Sequence, residues 1–380
     1  MKIFLSVLLG YLFFSFLPIS PLYSQLDLNR FMDSAHHWYG INDEDRIIQP
    51  LQNKPKYNAE EYENIADNIL LFQKENGGWA KNFDMQAILD DEQRAKVLAD
   101  KPIENTTFDN GATHSQLSYL AEVYTITKDD KYKDAFLKGL DFILTAQYQN
   151  GGWPQFFPDT SGYRKYITFN DGAMMGVIKI LENIVNKNSN YLFIHDPKYQ
   201  EVKNAFEKGI DCILDMQIVD EDRTTVWCQQ HDQVTLKPQN ARTFEPASIC
   251  NGESSEIVLF LMSLENPSDR IKSAIINAVS WFEDSAIEGI RVEVIKAPKE
   301  EYKYHTTSFD RVVVEDEDAP RIWTRFYELE THRPMFCRRD GKIVYSLAEV
   351  ERERRTGYGY YNYAPEEVLS YFSEWKQKWE

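Results

Sequence analysis

Apolar side chains return every three or four positions along seven stretches of the chain, residues 61–74, 116–127, 131–148, 172–185, 199–216, 253–264 and 267–282. That spacing lines one face of a helix, and few β-branched runs interrupt it. In KYKDAFLKGLDFILTAQY, Tyr132, Phe136, Leu140, Ile143 and Tyr148 fall close to a single stripe. The pattern predicts a mainly α fold. The segments between the helices repeat. QKENGGWAKNF begins at Gln73 and QYQNGGWPQFF at Gln147, and a degraded third copy, DMQIVDEDRTTVWCQQHD, carries Gln217. The steps from Gln to Gln are 74 and 70 residues. A unit used three times at a near-constant period decides architecture before any local motif does. We expect three helical hairpins closing into an (α/α)3 toroid, in one domain spanning residues 25–380.

Each repeat also restarts its helix in the same way. TTFDNGATH surrounds Asp109 and Asn110, TFNDGAMMG surrounds Asn170 and Asp171, and SICNGESS surrounds Asn251. Asp and Asn at a helix start are ordinary capping residues, whose side chains accept from the first free N–H groups. A second reading follows from the repetition. If equivalent loops open at one mouth, Asp109, Asn110, Asn170, Asp171 and Asn251 converge there, and carboxylate and amide oxygens on loops suit a hard cation such as Ca²⁺. His114, one turn beyond Asn110, could join them or simply pack.

Charge narrows the partners. The net charge is −18, and residues 1–24 contribute only Lys2 to it, so the chain beyond them carries −19. Such a surface repels nucleic acid. It also disfavours anionic substrates unless local positive charge or a metal is found. Residues 1–24, one lysine followed by a long apolar run and ending in Ser24, have the form of a secretory signal peptide, with an uncleaved membrane anchor as the alternative. That form implies an exported protein, periplasmic or extracellular, with no membrane association after cleavage, and we expect a monomer. The four cysteines fit no disulfide scaffold and no metal-binding spacing; one pair could bridge, or all could be buried thiols.

Local positive charge is present. Lys237 and Arg242 precede the third helix start in WCQQHDQVTLKPQNARTFEPAS, where an ordinary loop with Arg242 paired to Glu245 is the plainer alternative. Residues 321–355 hold nine Arg or Lys against six Asp or Glu. EVERERR reads as a salt-bridged helix face with Glu351 and Arg355 at i,i+4. Arg325, Arg333 and Arg339 lie outside it, among Trp323, Phe326, Tyr327 and Phe336. Arginines among aromatic rings can line a site for acidic sugars or form a buried network.

Three long motifs, NGGWPQFFPDTSGYRKYITFNDGAMMGVI, WCQQHDQVTLKPQNARTFEPASICNGESS and RFYELETHRPMFCRRDGKIVYSLAEVERERRTGYGYY, resemble the family 10 polysaccharide lyases, pectate lyases with an (α/α)3 toroid fold. The likeness runs from about residue 61 to the C terminus. It implies Ca²⁺-dependent β-elimination on polygalacturonate or another pectic polysaccharide. It also implies that Arg242 is the base and that Asp109 and Asp171 serve metal and substrate, with Asn110 and His114 further candidate ligands. Lys237, Arg325, Arg333 and Arg339 are then candidates for the substrate's carboxylates. Gln239 and Asn240 stand where the family often has an aromatic residue.

The chemistry asks for these residue types. The C5 proton of a uronate lies α to a carboxylate and is weakly acidic until that charge is neutralised by a cation. Arginine is an unusual base, since its pKa exceeds about 12; a neighbouring divalent cation favours its neutral form. Lys237 is the residue physical chemistry alone would choose. Other functions remain to be weighed. The QxxxGxW phrases also occur in triterpene cyclases, but no DxDD or DCTAE-like motif accompanies them. An (α/α) glycoside hydrolase would use two carboxylates and no metal. A non-catalytic carbohydrate-binding protein would need the aromatics and arginines alone.

Overall fold

The computed structural model describes residues 26–40, 54–220 and 223–380. The proposed signal segment, residues 1–24, lies outside them. The helices are α1 (Met32–Gly40), α2 (Tyr62–Phe72), α3 (Asp91–Asp100), α4 (His114–Thr127), α5 (Asp130–Ala146), α6 (Ala173–Val185), α7 (Lys198–Asp215), α8 (Asn251–Ser263), α9 (Asp269–Ser285), α10 (Arg352–Gly357) and α11 (Ala364–Trp379). The fold is mainly α. All seven predicted helices are present, with ends shifted by three residues or fewer. Antiparallel pairs α4/α5, α6/α7 and α8/α9 pack within themselves and then on one another, α4 against α6 and α5 against α7, while α11 lies on α8 and α9. Their apolar faces share one core that includes Trp79, Trp153, Trp227, Trp281 and Trp323. Among the described residues no helix is long and apolar enough to cross a membrane.

The repeat phrase has one structural job, performed three times. Each glutamine ends a helix and bridges two carbonyls: Gln73 donates to Gly77 and Ala135, Gln147 to Gly151 and Ala205, Gln217 to Thr225 and Ala274, all at 2.8–2.9 Å. Each tryptophan then folds back and donates its indole N–H to a carbonyl of that helix, Ile69, Ile143 or Ile213. Between them Gly77 and Gly151 take φ of +99° and +95°, and a Cβ on either would sit 2.4 or 2.1 Å from the carbonyl oxygen of Lys138 or Lys208. Only glycine fits such a turn. A fourth round, unread from the sequence, is formed by Trp323, whose indole donates to Phe282 of α9 at 2.9 Å.

The long insertion between α9 and that fourth round contains an antiparallel β-hairpin, Ile290–Glu301 with Thr306–Glu315. Charged and apolar residues alternate in RVEV, and RVVV is a β-branched run, both local signals of strand. Arg355 reaches this hairpin rather than its own helix neighbour: it grips Asp310 through two nitrogens at 2.9 and 2.5 Å. The expected Glu351–Arg355 side-chain pair is therefore replaced, and Glu351 instead accepts from Arg338 Nε at 3.1 Å. A bidentate partner across the fold is stronger than a surface i,i+4 pair. All four cysteines are free and buried.

Candidate active site

The helix starts do not cap. No side-chain cap hydrogen bond is made at the start of α4, α6 or α8. Instead Asn110 (φ +51°) and Asp171 (φ +50°), at matching positions of successive repeats, sit in the left-handed region that asparagine and aspartate tolerate best. Each lies in a short 3-10 turn, and the two turns, Asp109–Gly111 and Asn170–Gly172, pack against each other. The bend frees both side chains from the helix and brings Asp109 and Asp171 close enough for their charges to interact.

Residues two positions after each tryptophan hold this centre. Lys81 and Gln155 divide the oxygens of Asp109 between them: the ammonium pairs with Oδ2, and the Gln155 amide donates to Oδ1 at 2.9 Å. Gln229 donates to Asn170 Oδ1 (3.1 Å) and Glu253 Oε1 (2.8 Å). Arg325, two residues after Trp323, donates to the same two atoms at 2.8 Å each. Lys81, Gln155, Gln229 and Arg325 are thus one position of the repeat, filled by cations in its first and last rounds. Lys81, Gln155, Gln229 and Glu253 were missed as site residues, although aligning GGWAKNF with GGWPQFF pairs Lys81 with Gln155.

Electrostatics separates the two aspartates. Burial would raise the Asp109 pKa, but Lys81 and Gln155 outweigh it and hold the carboxyl below its ordinary value. Among the described residues Asp171 has only the Asn170 amide as donor, at 2.6 Å. Its side chain is open to solvent yet has protein on most sides, the setting of a group in a concave cleft. That partial desolvation, with the charge of Asp109, pushes its pKa up to about 7 against the pull of Arg325 and Arg242. Asp171 is short of positive charge, and Asp109 is already supplied.

Arg242 faces the same centre from the third-repeat loop. The buried Glu245 takes its Nε at 2.8 Å, its Nη2 and its backbone N–H at 3.1 Å. Burial lowers the Arg242 pKa, but Glu245, then Tyr358 and Asp171, drive it above the ordinary arginine value. The alternative reading of this loop, an Arg242–Glu245 pair, is what the structure contains. Behind it runs an alternating stack. Arg242 lies 5.0 Å from the Phe244 ring centre, Arg354 lies 3.9 Å from Phe244 and 4.2 Å from Tyr358, and Arg325 lies 4.5 Å from Tyr358. Arg339 joins at Phe244, 4.6 Å away. Arg354 is 5% exposed, and its Nε and Nη2 have no hydrogen-bond partner. Cation–π contact on both faces offsets part of that cost. The i,i+4 pattern around Arg354 suggests only a salt-bridged helix face.

The remaining candidates divide. His114 packs its ring against Gly176 of α6, where a Cβ would meet it at 2.3 Å, and burial pushes its pKa down to about 4. The ring thus fills the space between α4 and α6. Arg333 stacks on Tyr345 at 3.5 Å, on the small sheet of Ile249–Cys250, Phe326–Tyr327, Pro334–Cys337 and Ile343–Val344. Lys237 is exposed in the turn where its carbonyl accepts from the Asp232 N–H. Neither has a described contact with the carboxylate centre. Asn251 donates to the Thr324 carbonyl, tying α8 to the fourth round. Among the described residues no three His, Cys, Asp or Glu side chains form a metal-holding group. A groove of about 620 Å³ between α6, α8 and α11, lined by Lys179, Glu182, Glu256 and Phe260, contains none of these site residues.

Two acids with unequal charge demand thus lie beside arginines layered on aromatic rings. Residues 73–369 match the family described as pectic acid lyase, and the chain belongs to that family. It is similar to the family 10 polysaccharide lyase from Cellvibrio cellulosa, at 29% identity and a TM-score of 0.69, over 84% of this chain and 96% of that one. A mutant of that lyase in complex with trigalacturonic acid aligns equally well, with 29% identity, a TM-score of 0.69, and coverage of 83% and 96%. No curated protein matches the chain. The protein is a polysaccharide lyase, an enzyme of the pectate lyase kind.

Proposed function

We propose that this enzyme cleaves polygalacturonate by calcium-dependent β-elimination, releasing unsaturated oligogalacturonides, with Arg242 as the group that takes the C5 proton. The observation that carries the reading is the convergence of an under-neutralised carboxylate, Asp171, with Arg242 and Arg325, whose charges it feels directly. Trigalacturonic acid in the similar Cellvibrio lyase supports a galacturonate polymer as substrate. The helical hairpins, packed pair on pair, support a reading of the scaffold as an (α/α)3 toroid whose helix-starting turns share one mouth. A polymer substrate fits a protein exported by its leader and acting outside the cytoplasm.

The donor set fits calcium. Asp171, with the Asn110 amide, would hold the ion, and a substrate carboxylate and water would complete the oxygen ligands a hard cation requires. When bound, calcium would supply Lewis-acid neutralisation of the C6 carboxylate and so acidify C5. Lys81 and Gln155 keep Asp109 ionised and fixed. Arg325 and Arg339 hold carboxylates along the chain, and Glu245 orients the Arg242 guanidinium. The Arg242–Glu245 ion pair favours a second role for Arg242, in which it stays protonated and stabilises the charge developing on the substrate.

Metal-free stability tests the calcium site apart from turnover. The folded Asp171 pKa of about 7 lies above the unfolded value. The folded state therefore binds more protons between those two values, and stability falls as pH rises from ~4 to ~7. In chelator at pH 8, Asp171→Asn is expected to be the more stable protein, by about 1 kcal/mol once the exposure of the carboxylate is discounted. Calcium should then raise the melting temperature of the wild type and leave Asp171→Asn unmoved. Equal calcium shifts in both proteins, read by differential scanning calorimetry, would place the ion elsewhere.

A further inference from the structure

The β-hairpin ends in Glu301-Tyr302-Lys303-Tyr304-His305, which places two tyrosines, a lysine and a histidine at its turn. It is also held in place. The Tyr302 N–H donates to the His305 carbonyl at 2.9 Å, closing the turn. His305 Nε2 lies 3.0 Å from Thr356 Oγ1 of α10, and its ring is so near Gly357 that a Cβ there would approach to 2.7 Å. Arg311 donates to the carbonyls of Arg355 and Tyr358, at 3.0 and 3.1 Å, and Arg352 donates to the Pro298 carbonyl at 2.7 Å. These bonds fix the hairpin to the domain, so the ordering cost of using the tip is already met by the fold.

Tyr304 itself is 37% exposed. Its ring centre is 5.3 Å from the Arg339 guanidinium, which lies 4.6 Å from Phe244, whose other contacts include Arg242 at 5.0 Å. A continuous track of aromatic rings and guanidinium groups thus leads from the reacting centre to the hairpin tip. Arg339 has its charge balanced by Glu353, and Lys303 lies 5.1 Å from the Tyr304 ring. We propose that Tyr304 is an outer subsite, whose ring face stacks on a galacturonate unit several residues from the bond that is cut. The C–H face of a pyranose packs against an aromatic ring, and the cations beside that ring, Arg339 and Lys303, favour its carboxylate. The proposal rests on the galacturonate reading above and makes the enzyme selective for long chains.

Oligogalacturonates of defined length, from trimer to octamer, test it. For the wild type, kcat/KM should climb with length until the tip is reached. Tyr304→Ala should leave the trimer value unchanged and lower that of the longest oligomers roughly 3- to 10-fold, the worth of one aromatic contact, while Tyr304→Trp should keep the wild-type profile. The same contrast should appear in Kd, measured by calorimetry on Arg242→Ala and on Arg242→Ala/Tyr304→Ala, where no turnover intervenes. A uniform loss at every length, or none at any length, in both measurements overturns the subsite. A wild type that makes no unsaturated product while the length-dependent Kd contrast persists overturns the catalytic reading and keeps the subsite.

Discussion

Replacing Arg242 by alanine is expected to lower turnover of polygalacturonate by roughly 10²- to 10⁴-fold, the usual loss for a positioned proton acceptor. Arg325, Arg339 and the Asp171 side remain, so KM should change much less than kcat, the signature of an interaction made in the transition state. Arg242→Lys distinguishes the two roles the structure allows. A lysine keeps the charge but cannot reproduce the two-nitrogen grip on Glu245 or the planar stack on Phe244. Glu245→Gln adds a pH readout. Glu245 raises the Arg242 pKa, so its loss should bring the neutral guanidine within reach at lower pH and move the rising limb of activity downward. If Arg242 works as a cation, Arg242→Lys should retain much of the rate, and Glu245→Gln should leave that limb in place.

The second large effect is expected at Arg325. Its guanidinium is the cation facing Glu253, whose side chain is 9% exposed, and it also donates to Asn170. Arg325→Ala removes that partner and strands a buried acid, a change that costs about 3–5 kcal/mol. It also removes the far end of the stack, since Tyr358 then loses the cation on one face. The unfolding midpoint in urea should fall accordingly, with the slope unchanged. Adding Glu253→Gln to Arg325→Ala should recover part of the stability without recovering activity. That split would separate the structural pair from the substrate contact; recovery of both would show that Arg325 serves the fold alone.

The helices and their repeat were legible because both rest on local patterns: apolar stripes, and a Gln, Gly-Gly and Trp that bond the same atoms in every round. The fourth round escaped because the long hairpin insertion stretches its spacing and only Trp323 and Arg325 keep the register. At the site, Asp109, Asp171 and Arg242 stood out as polar residues in repeated or ordered phrases. Lys81 and Gln155 were hidden in plain sight, since their meaning lies in sharing the Asp109 carboxylate from 28 residues before it and 46 after it. Arg354 could not be read at all. A glutamate-rich helical segment gives no sign that one of its arginines turns inward between Phe244 and Tyr358. His114 is open to either reading in the sequence, because its neighbour Gly176, which makes room for the ring, belongs to another helix.

One cuvette tests the central claim. β-Elimination leaves a C4–C5 double bond conjugated with the C6 carboxylate, so polygalacturonate with the enzyme and calcium should gain ultraviolet absorbance in step with new reducing ends. Chelation should stop both together. Reducing ends that accumulate without absorbance, undisturbed by the chelator, would contradict calcium-dependent elimination and make the carboxylates of this site a hydrolase pair.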